Sequence, residues 1–572
     1  MDRERLENDE FRNVQKNRLV GFFDVETYGG LTSDIALIGL KFLDGEYKYF
    51  TTAKDFFYYL ERIKKYKILY GFNSGKFDVP VIFDNLFKAG VDFKPRNMFF
   101  SGSRLVSVAM GKNTILKDIL GVFASIRLKD ERGRMGLNAL AKELLGIEKE
   151  DFNSENIQEI NDELIKYNKR DVEIVEGLFK KIYELSGVLP TTSGKMAMSI
   201  YVLKFRPDIK KIANKRGIKQ FYRGGRSELF KFDGKDVRAY DVNSMYPYVM
   251  MKYPYPIGPV FREKNINKEG YSFVIVKAPY NYVPYLPYKT GSKLIFPYGS
   301  FSGYYTNFEL REAKKRGVEF EIIDGYVCDK TEYIFGDYVK CFYDLRKKAK
   351  DEKNKVLDSY AKLMLNSLYG KFGQSPFVQD LKIKKIEDLR YDDIGSMVFG
   401  NEQKYTIVKK LTFNPFVYYD YIIAGYITAY GRHVLYEFLE KLKPEELFYV
   451  DTDGIVCSGD LDNYVGKDLG ELKLEGEYEK YRGLLPKVYM LSNKNKTIVK
   501  AKGFKNLTVE DILKGKATEK KNSVFGFKEA LNRFKSFFYV GEKTREIKTA
   551  YEKRIINGND TEPIKIIEGG GE

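Results

Sequence analysis

The segment Leu447-Phe448-Tyr449-Val450-Asp451-Thr452-Asp453-Gly454 decides how this chain is interpreted. Its two aspartates lie one residue apart at the end of an apolar run, which predicts a buried strand followed by a turn. Asp-Gly is a strong turn signal, so the segment by itself fits an ordinary hairpin. Two earlier segments of the sequence favour a functional role for these carboxylates instead.

The two earlier segments also contain polar side chains beside apolar runs. Val237-Arg238-Ala239-Tyr240-Asp241-Val242 predicts a buried strand that ends at Asn243-Ser244, with Asp241 near its carboxyl end. The second segment is Lys362-Leu363-Met364-Leu365-Asn366-Ser367-Leu368-Tyr369-Gly370. In this order, the three segments resemble motifs A, B and C of the family B DNA polymerases.

A long stretch without proline or glycine predicts the helix of the second segment. It extends from Leu345 to Tyr369, and Gly370 follows as a helix stop. The residues at helical spacing that would form its buried face are Leu357, Tyr360, Ala361, Met364, Leu365 and Leu368. A polar stripe contains Lys355, Lys362, Asn366 and Tyr369. A lysine-rich surface helix is the alternative, but it does not explain why a tyrosine and an asparagine share the lysine's face.

The resemblance to family B implies roles for these residues. Asp241, Val242 and Asp453 would bind two Mg²⁺ ions, with Mn²⁺ as a substitute, to activate the primer 3′-hydroxyl and stabilise the leaving pyrophosphate. The implied nucleotide-binding residues are Tyr246, Lys362, Asn366 and Tyr369. Among these, the tyrosine of Ser-x-Tyr-Pro would exclude ribonucleotides, and the lysine would bind the triphosphate.

Further short segments resemble DNA-binding motifs of the family. Lys487-Val488-Tyr489 resembles the K-x-Y motif that holds the primer terminus, and Tyr222-Arg223-Gly224-Gly225 resembles a template-coordinating loop. Gly454 departs from the usual serine, so a hydroxyl is lost beside the carboxylates. The residues that the resemblance assigns to DNA binding are Tyr222, Arg223, Gly224, Gly225, Asn73, Ser244, Gly370, Lys371, Thr452, Asp451, Lys487 and Tyr489.

A second acidic constellation lies upstream. Asp24 and Glu26 follow an apolar run, and strand alternation would place both on one face. Asp78 lies in Phe72-Asn73-Ser74-Gly75-Lys76-Phe77-Asp78, while Tyr167 and Asp171 are four residues apart and would share a helix face. Each segment alone fits ordinary solvated carboxylates.

Together, these segments resemble the three motifs of DEDDy proofreading exonucleases. The resemblance implies that Asp24, Glu26, Asp78 and Asp171 are catalytic and that Tyr167 orients the attacking water. Asp24, Glu26 and Asp171 would bind the two metal ions of this second site.

Composition is consistent with a basic, globular, nucleic-acid-binding protein. The 572 residues include 97 Lys plus Arg against 80 Asp plus Glu, a net charge of +17, which favours a polyanionic partner. A soluble protein with lysine-rich faces is the alternative. Three scattered cysteines and no C-x-x-C pair argue against a disulfide framework, and the single histidine, His433, excludes multi-histidine metal sites. It lies in a predicted amphipathic helix, where a structural role is expected.

No apolar stretch is long enough to predict a membrane span, and the charged start lacks a signal core. We therefore expect a cytoplasmic protein, in the host cytoplasm if it is viral. No Walker A sequence occurs, which excludes a P-loop NTPase. Any metal site must be built from carboxylates, which suit Mg²⁺ or Mn²⁺.

The amino-acid sequences of these motifs resemble those of the protein-primed branch of family B, which is found in bacteriophages. The intervals between Asp241, Lys362 and Asp453 are long, and match the places where that branch contains two terminal-protein-region insertions. The first includes the Tyr- and Pro-rich Ala278–Tyr285, which predicts an irregular surface module. The implied partners are template and primer DNA, dNTPs and a terminal protein used as primer, with no membrane, the chain being a monomer or a heterodimer with the terminal protein.

The resulting prediction is an α/β and α+β multidomain protein, with an RNase H-like 3′–5′ exonuclease domain followed by a palm, fingers and thumb. The predicted boundaries are 1–190 exonuclease, 191–251 palm, 252–337 first insertion, 338–373 fingers, 374–419 second insertion, 420–503 palm and 504–572 thumb. The predicted function is DNA-directed DNA synthesis with proofreading, processive and strand-displacing, on a viral or plasmid linear genome.

Three alternatives remain open to different degrees. A nucleic-acid-primed family B polymerase lacks the two long intervals. A reverse transcriptase is disfavoured by Asp-Thr-Asp and by the upstream exonuclease motifs. A catalytically inactive DNA-binding scaffold would have no reason to keep both sets of carboxylates.

Overall fold

The protein is described by a computed structural model covering residues 18–29, 32–93, 95–101, 104–123, 136–147, 152, 157–385, 387, 390, 397–400, 405–415, 417–502, 504, 508–514, 518–527, 529–530, 537–546 and 551–567. Among these residues, no helix is both long and apolar enough to cross a membrane.

The N-terminal unit is a seven-stranded mixed sheet in the order β3-β2-β1-β4-β7-β6-β5. Its strands are Arg18–Thr27 (β1), Ile35–Phe42 (β2), Tyr47–Phe50 (β3), Tyr66–Gly71 (β4), Arg96–Ser101 (β5), Arg104–Met110 (β6) and Thr114–Asp118 (β7). Its helices are Ala53–Arg62 (α1), Asp78–Lys88 (α2), Leu120–Phe123 (α3), Leu137–Leu145 (α4) and Asp162–Ser186 (α5). Asn161 caps the start of helix α5, where its side chain accepts a hydrogen bond from the Leu164 amide. Gly187 follows the helix in a left-handed conformation and caps its end. Its apolar face packs on β1.

A second seven-stranded sheet, the central sheet, has the order β23-β22-β21-β9-β20-β19-β8. Its strands are Ser227–Leu229 (β8), Asp233–Val242 (β9), Leu447–Asp451 (β19), Gly454–Cys457 (β20), Leu472–Leu485 (β21), Val488–Ser492 (β22) and Thr497–Ala501 (β23). Segments more than 200 residues apart in sequence therefore become neighbouring strands, β9 and β20. This pairing brings the first and third motifs together.

Helices cover the central sheet and connect it to the other units. They are Ser193–Ile200 (α6), Ile209–Ile212 (α7), Met245–Lys252 (α8), Gly336–Asp351 (α10), Lys355–Ser367 (α11), Tyr369–Phe372 (α12), Tyr421–Leu439 (α13) and Val509–Lys514 (α14). A π-helical turn spans Tyr201–Phe205, and 3₁₀ turns span Lys219–Phe221, Pro444–Glu446 and Asp462–Tyr464.

The predicted continuous helix from Leu345 to Tyr369 is wrong. The chain reverses between α10 and α11, because Lys353 adopts φ +55° and Asn354 caps α11 by accepting from the Leu357 amide. Gly370 is not a helix stop either, since it lies inside α12, which ends at Phe372. The resulting antiparallel helix pair still places the predicted buried face against the core.

Helix α13 is buried on all sides, whereas the sequence predicted an amphipathic helix. It packs against α8, α12 and the first inserted unit, so its polar residues are buried except for Glu437 in its last turn, which is exposed. His433 is among the buried ones, facing the Tyr285 hydroxyl at 3.3 Å and lying 3.6 Å from the Glu437 carboxylate. Burial lowers the pKa of this histidine. These contacts fit a structural role.

The segment predicted to be the first insertion forms an ordered sheet in which every strand pair but one is antiparallel, which corrects the expectation of an irregular module. Its order is β10-β15-β11-β14-β28, beside the hairpin β12-β13. The elements are Tyr255–Arg262 (β10), Gly270–Ala278 (β11), Tyr288–Thr290 (β12), Lys293–Ile295 (β13), Tyr298–Thr306 (β14), Asn307–Lys315 (α9), Glu319–Glu332 (β15) and Lys565–Ile566 (β28). Alternating apolar residues in β11 and β14 build its core.

The segment predicted to be the second insertion contains a three-stranded sheet of Phe377–Lys385 (β16), Met397–Gly400 (β17) and Tyr405–Phe413 (β18). Much of its predicted tip, Lys382–Val398, lies outside the described residues. Strand β16 contacts β5 of the N-terminal unit.

The C-terminal region joins several units. A hairpin of Thr518–Val524 (β24) and Val540–Glu546 (β25) is followed by a small hairpin of Ile555–Asn557 (β26) and Asp560–Glu562 (β27). Beside the first hairpin, Phe527 and Phe537 pack on Phe83 of α2 in the N-terminal unit. The chain then returns to the central sheet, where the Tyr551 hydroxyl hydrogen-bonds to the Leu229 backbone, and β28 pairs with β14.

Candidate active sites

The central site lies where β9 and the β19-β20 hairpin end. Asp241 pairs in register with Gly454, and the Val242 amide donates to the Asp453 carbonyl at 2.8 Å. Thr452 adopts φ +64°, a turn conformation that places Asp453 beside β9. Strand pairing therefore holds the two predicted carboxylates, Asp241 and Asp453, against each other.

The electrostatics of this pair favour a bound cation. Burial and the neighbouring Asp241 raise the pKa of Asp453 to about 7. Burial and Glu475 raise the pKa of Asp241, while Lys500, Lys473 and Lys362 oppose that shift. Two adjacent, partly buried carboxylates destabilise each other when both are ionised. A hard oxygen donor set with uncompensated negative charge fits Mg²⁺ or Mn²⁺.

A basic and aromatic group borders one side of this site. Lys487 forms an ion pair with Asp451 at 2.9 Å, and its amide donates to the Tyr449 hydroxyl at 2.8 Å. The Tyr489 ring lies 5.1 Å from that of Tyr449, with the Lys500 ammonium 5.7 Å above it. The predicted K-x-Y segment is thus anchored directly to the aspartate turn.

Two tyrosines from distant segments stack on the other side. The rings of Tyr246 on α8 and Tyr369 on α12 are 4.2 Å apart at 28°. Gly431 of α13 lies behind Tyr246, where a Cβ would approach its ring to 3.3 Å. Ser244 precedes α8 with φ +51°. The predicted sugar-contacting ring is therefore fixed at the edge of the carboxylate site.

The remaining predicted nucleotide contacts lie on α11, one helix of the α10–α11 pair, and on the short helix α12 that follows it. Lys362 and Asn366 of α11 are exposed, and Lys362 is close enough to lower the pKa of Asp241. Gly370 and Lys371 line a cleft of about 350 Å³ shared with Thr192 and Phe99 of the N-terminal side. Burial and Lys195 lower the pKa of Lys371 to about 8, which marks a cationic cleft.

The Tyr222–Gly225 loop lies against the aspartate turn. At Gly225 a Cβ would come within 2.9 Å of Thr452 side-chain atoms, so only glycine allows this approach. Arg432 donates to the carbonyl oxygens of Arg223 and Gly224, at 2.8 Å each, and pairs with Glu309 of the first insertion at 2.6 Å. Arg432 therefore fixes the backbone of this loop to the first insertion.

Arg223 does not fit its predicted role in DNA binding. Its side chain is buried, donates to the Tyr304 carbonyl at 2.5 Å and lies 4.4 Å from the Tyr305 ring centre. It therefore fastens the loop to the first insertion. Tyr222 is also enclosed, since a Cβ at Gly373 would overlap its ring, whereas Gly224 has open space around it.

The N-terminal acidic site contains Asp24 and Glu26 from β1 and Asp171 from α5. One oxygen of each lies within 4.8 Å of the others, a spacing that can hold a metal ion. Glu26 and Asp171 are buried. Asp78 begins α2 and accepts from the Val25 amide at 2.9 Å, while burial and Asp24 hold its pKa well above the usual range. Carboxylates so enclosed fit a hard divalent cation.

Tyr167 and Asn73 lie beside this site. Tyr167, four residues before Asp171 on α5, is buried and stacks on Phe152 at 4.7 Å. Asn73 adopts φ +56° in the turn before α2. Backbone amides of Asn73 and Gly75 hydrogen-bond to Asp118, whose pKa burial raises to about 6.

Asp118 and Glu475 are two carboxylates that the sequence analysis missed. Asp118 ends β7 and anchors the turn that leads to Asp78, while Glu475 lies on β21 beside Asp241. The available signal for the first was an aspartate at the end of a short strand, two residues after the apolar pair Ile115-Leu116. Glu475 sits in a charged strand, LKLEGEYEKY, in which nothing local distinguishes it from its neighbours.

The fold and the two acidic sites define a class of protein in which an RNase H-like domain is followed by a polymerase domain with the right-hand architecture. The RNase H superfamily profile matches residues 21–183, and the profile of type B DNA polymerases, organellar and viral, matches residues 132–420. The chain therefore belongs to the organellar and viral type B DNA polymerase family.

Relatives and solved structures agree with this assignment. A probable DNA polymerase of Neurospora intermedia is 31% identical over 62% of this chain and 42% of its own length. The DNA-directed DNA polymerase of Enterobacteria phage PRD1 is 26% identical over 77% of this chain and 76% of its own. The chain spans 42%, 26% and 36% of three relatives, less than half of each.

Phi29 DNA polymerase, solved with primer-template DNA and incoming nucleotides, has a similar fold. Its TM-score is 0.70 at 20% identity, over 93% of this chain and all of that one. An orthorhombic crystal form of the same enzyme gives 0.70 at 18% identity. The predicted multidomain fold, an RNase H-like domain and a family B hand, is confirmed.

Proposed function

We propose that this chain is a DNA-directed DNA polymerase with a 3′–5′ proofreading exonuclease, started by a protein primer. The observation that supports synthesis best is the Asp241–Asp453 pair, which is held together by strand pairing. This pair lies between the K-x-Y segment and Lys362 of α11. Its partners would be template and primer DNA, dNTPs and a terminal protein. We also propose that the domains of this chain end at residues 190, 251, 337, 373, 419 and 503.

At the central site, Asp241, Val242 and Asp453 would hold two divalent ions. When bound, Mg²⁺ would lower the charge barrier to attack of the primer hydroxyl on the triphosphate. Lys362 would approach the phosphates from α11 as a point charge. Lys487 and Tyr489, already fixed to Asp451 and Tyr449, would hold the primer end in line.

The Tyr246–Tyr369 stack would select the sugar and support the new base pair. A ring held between Tyr369 and Gly431 cannot move back to admit a 2′-hydroxyl. Asn366 lies one turn before Tyr369 and would extend this surface. Gly224, Gly225, Ser244, Gly370, Lys371, Thr452 and Asn73 remain proposed DNA contacts; for Arg223 we propose only the anchoring role.

At the N-terminal site, Asp24, Glu26 and Asp171 would hold metal and Asp78 would complete the carboxylate set. Tyr167 would orient the attacking water after the Phe152 stack opens. The fit of the site rests on three carboxylate oxygens within 4.8 Å of one another, two of them from buried residues. The two sites share no carboxylate, so their activities should separate by mutation.

Protein priming is supported by how the first insertion joins the central site. Arg223 and the Arg432–Glu309 pair connect its sheet to the Tyr222–Gly225 loop, and β28 adds a strand to it. A primer protein bound to this sheet would therefore lie close to the Asp241–Asp453 pair. We propose that the second insertion, which contacts β5, closes over DNA and supports strand displacement.

The test compares Asp241→Ala with the double variant Asp24→Ala and Asp78→Ala. The first should abolish primer extension and keep degradation of single strands; the second should do the reverse. A loss of both activities in either folded variant would refute two separate sites. Labelled dATP, Mg²⁺ and the terminal protein encoded nearby should give a covalent protein–dAMP adduct. No adduct under conditions that support extension would favour a nucleic-acid-primed polymerase.

A further inference from the structure

A buried polar chain connects edge strand β3 to the N-terminal acidic site. Asn168, which follows Tyr167 on α5, is fully buried. Its Nδ2 donates to Asp24 Oδ2 at 3.0 Å, and its Oδ1 accepts from the Tyr47 hydroxyl at 2.9 Å. An ionised carboxylate can only accept, so these two bonds fix the orientation of the amide.

The sheet leaves space for this amide. Gly39 of β2 is the register partner of Asp24 on β1. A Cβ at Gly39 would overlap Asn168 Oδ1 and lie 2.9 Å from the Tyr47 ring. Any larger residue would push the amide away from the carboxylate. A glycine at this position therefore permits α5 to reach through to Asp24.

Tyr47 serves as a fixed donor at the outer end of the chain. Burial, followed by the charges of Asp24 and Glu26, raises its pKa well above the usual range, so the hydroxyl keeps its proton. Because it donates to Asn168 Oδ1, the amide cannot flip without losing both bonds. Each buried polar atom of Asn168 is thereby paired, which rigidifies the group.

We propose that Asn168, supported by Tyr47, is a positioning residue that orients the Asp24 carboxylate for metal binding. The inference deepens the proposed exonuclease function and rests on it. Asp24 lies beside Glu26 and Asp171, whose like charges repel its carboxylate in the metal-free protein. The hydrogen bond to Asn168 prevents rotation away from them. Removing a group that hydrogen-bonds to a metal-binding side chain typically lowers metal affinity by about 10- to 100-fold.

A metal titration tests this directly. Binding of Mn²⁺, followed by the paramagnetic resonance of the free ion, should be measured in an Asp241→Asn background that silences the central site. Asn168→Leu should weaken binding at the N-terminal site by about tenfold or more. Tyr47→Phe, which removes one hydroxyl only, should weaken it less. Tyr70→Phe is the matched control: it removes another buried hydroxyl of the same unit, bonded to the Pro190 carbonyl.

Degradation of single-stranded DNA separates positioning from a general structural effect. Asn168→Leu should raise the half-saturating Mg²⁺ concentration by about tenfold, with an unchanged KM for DNA and near-normal kcat at saturating Mg²⁺. Primer extension by the Asp241-intact variants reports folding. If Asn168→Leu fails to fold, the positioning role is tested by whether Tyr47→Phe raises the half-saturating Mg²⁺ concentration.

The outcomes distinguish the two claims. Unchanged Mn²⁺ affinity in a folded Asn168→Leu, or in Tyr47→Phe if that variant must decide, overturns the positioning role. A wild-type chain that never degrades DNA overturns the proposed exonuclease function instead. A loss equal to that of Tyr70→Phe would show a structural effect and also overturn the inference.

Discussion

Asp453→Asn should stabilise the metal-free protein while abolishing synthesis. Burial and Asp241 raise the pKa of Asp453 from 3.8 to about 7. Each pKa unit corresponds to about 1.36 kcal/mol, so ionising this group in the folded state costs at most about 4 kcal/mol. Asparagine keeps the shape and removes the charge.

The sign of the pH dependence follows from this raised pKa. Between about pH 4 and 7 the folded protein keeps a proton on Asp453 that the unfolded chain releases. The free energy of unfolding therefore falls as pH rises through this window, and the full loss is reached above about pH 7. Asp453→Asn should remove that loss, so its advantage over wild type should be absent near pH 4 and largest at pH 8.

The assay is thermal unfolding in EDTA at pH values from 5 to 8. The advantage of Asp453→Asn should grow by several degrees across this range, and should shrink with Mg²⁺, which offsets the repulsion in wild type. Asp236→Asn, an exposed position on the same strand β9, is the control and should show no such trend. An advantage independent of pH, or a destabilised variant at pH 8, would refute the electrostatic reasoning.

Further predictions follow from the packing around the sites. Tyr246→Val should increase incorporation of ribonucleotides at least tenfold while deoxynucleotide use falls modestly, because the stacked ring is removed; unchanged sugar selectivity in steady-state kinetics would contradict it. Lys362→Ala should lower kcat/KM for dNTPs by about 10²-fold or more without changing single-strand degradation, measured on the same preparation. Phe537→Ala should cost about 3–5 kcal/mol locally and loosen the C-terminal hairpin from α2, which limited proteolysis and a processivity assay would detect.

Local sequence signals were sufficient to mark several of the candidate carboxylates. Asp24, Asp241 and Asp453 each follow an apolar run, and a strand followed by a polar turn can be recognised from a few residues. The order of these segments then predicted an RNase H-like domain before a polymerase hand, which the fold confirms. Their assignment to two sites came from the resemblance of these segments to polymerase and exonuclease motifs.

Other features depended on contacts between distant segments. The break before α11 arises from a single left-handed residue, Lys353, which no periodicity reveals. Arg223 lies in a loop that resembles a DNA-binding motif, yet its guanidinium faces the first insertion because Tyr304 and Tyr305 lie there. Burial of a polar side chain is decided by what packs over it.

The sequence by itself therefore determined the chemistry of this protein: which carboxylates, lysines and tyrosines are present, and on which strand ends and helix faces they lie. Only the tertiary structure decided which of them meet. Asp118, Glu475 and Asn168 reach the acidic sites through strand pairing and helix packing across tens to hundreds of residues. The physical reason is that side-chain periodicity is local, whereas hydrogen bonding, burial and charge interactions act through space between segments that the folded chain brings together.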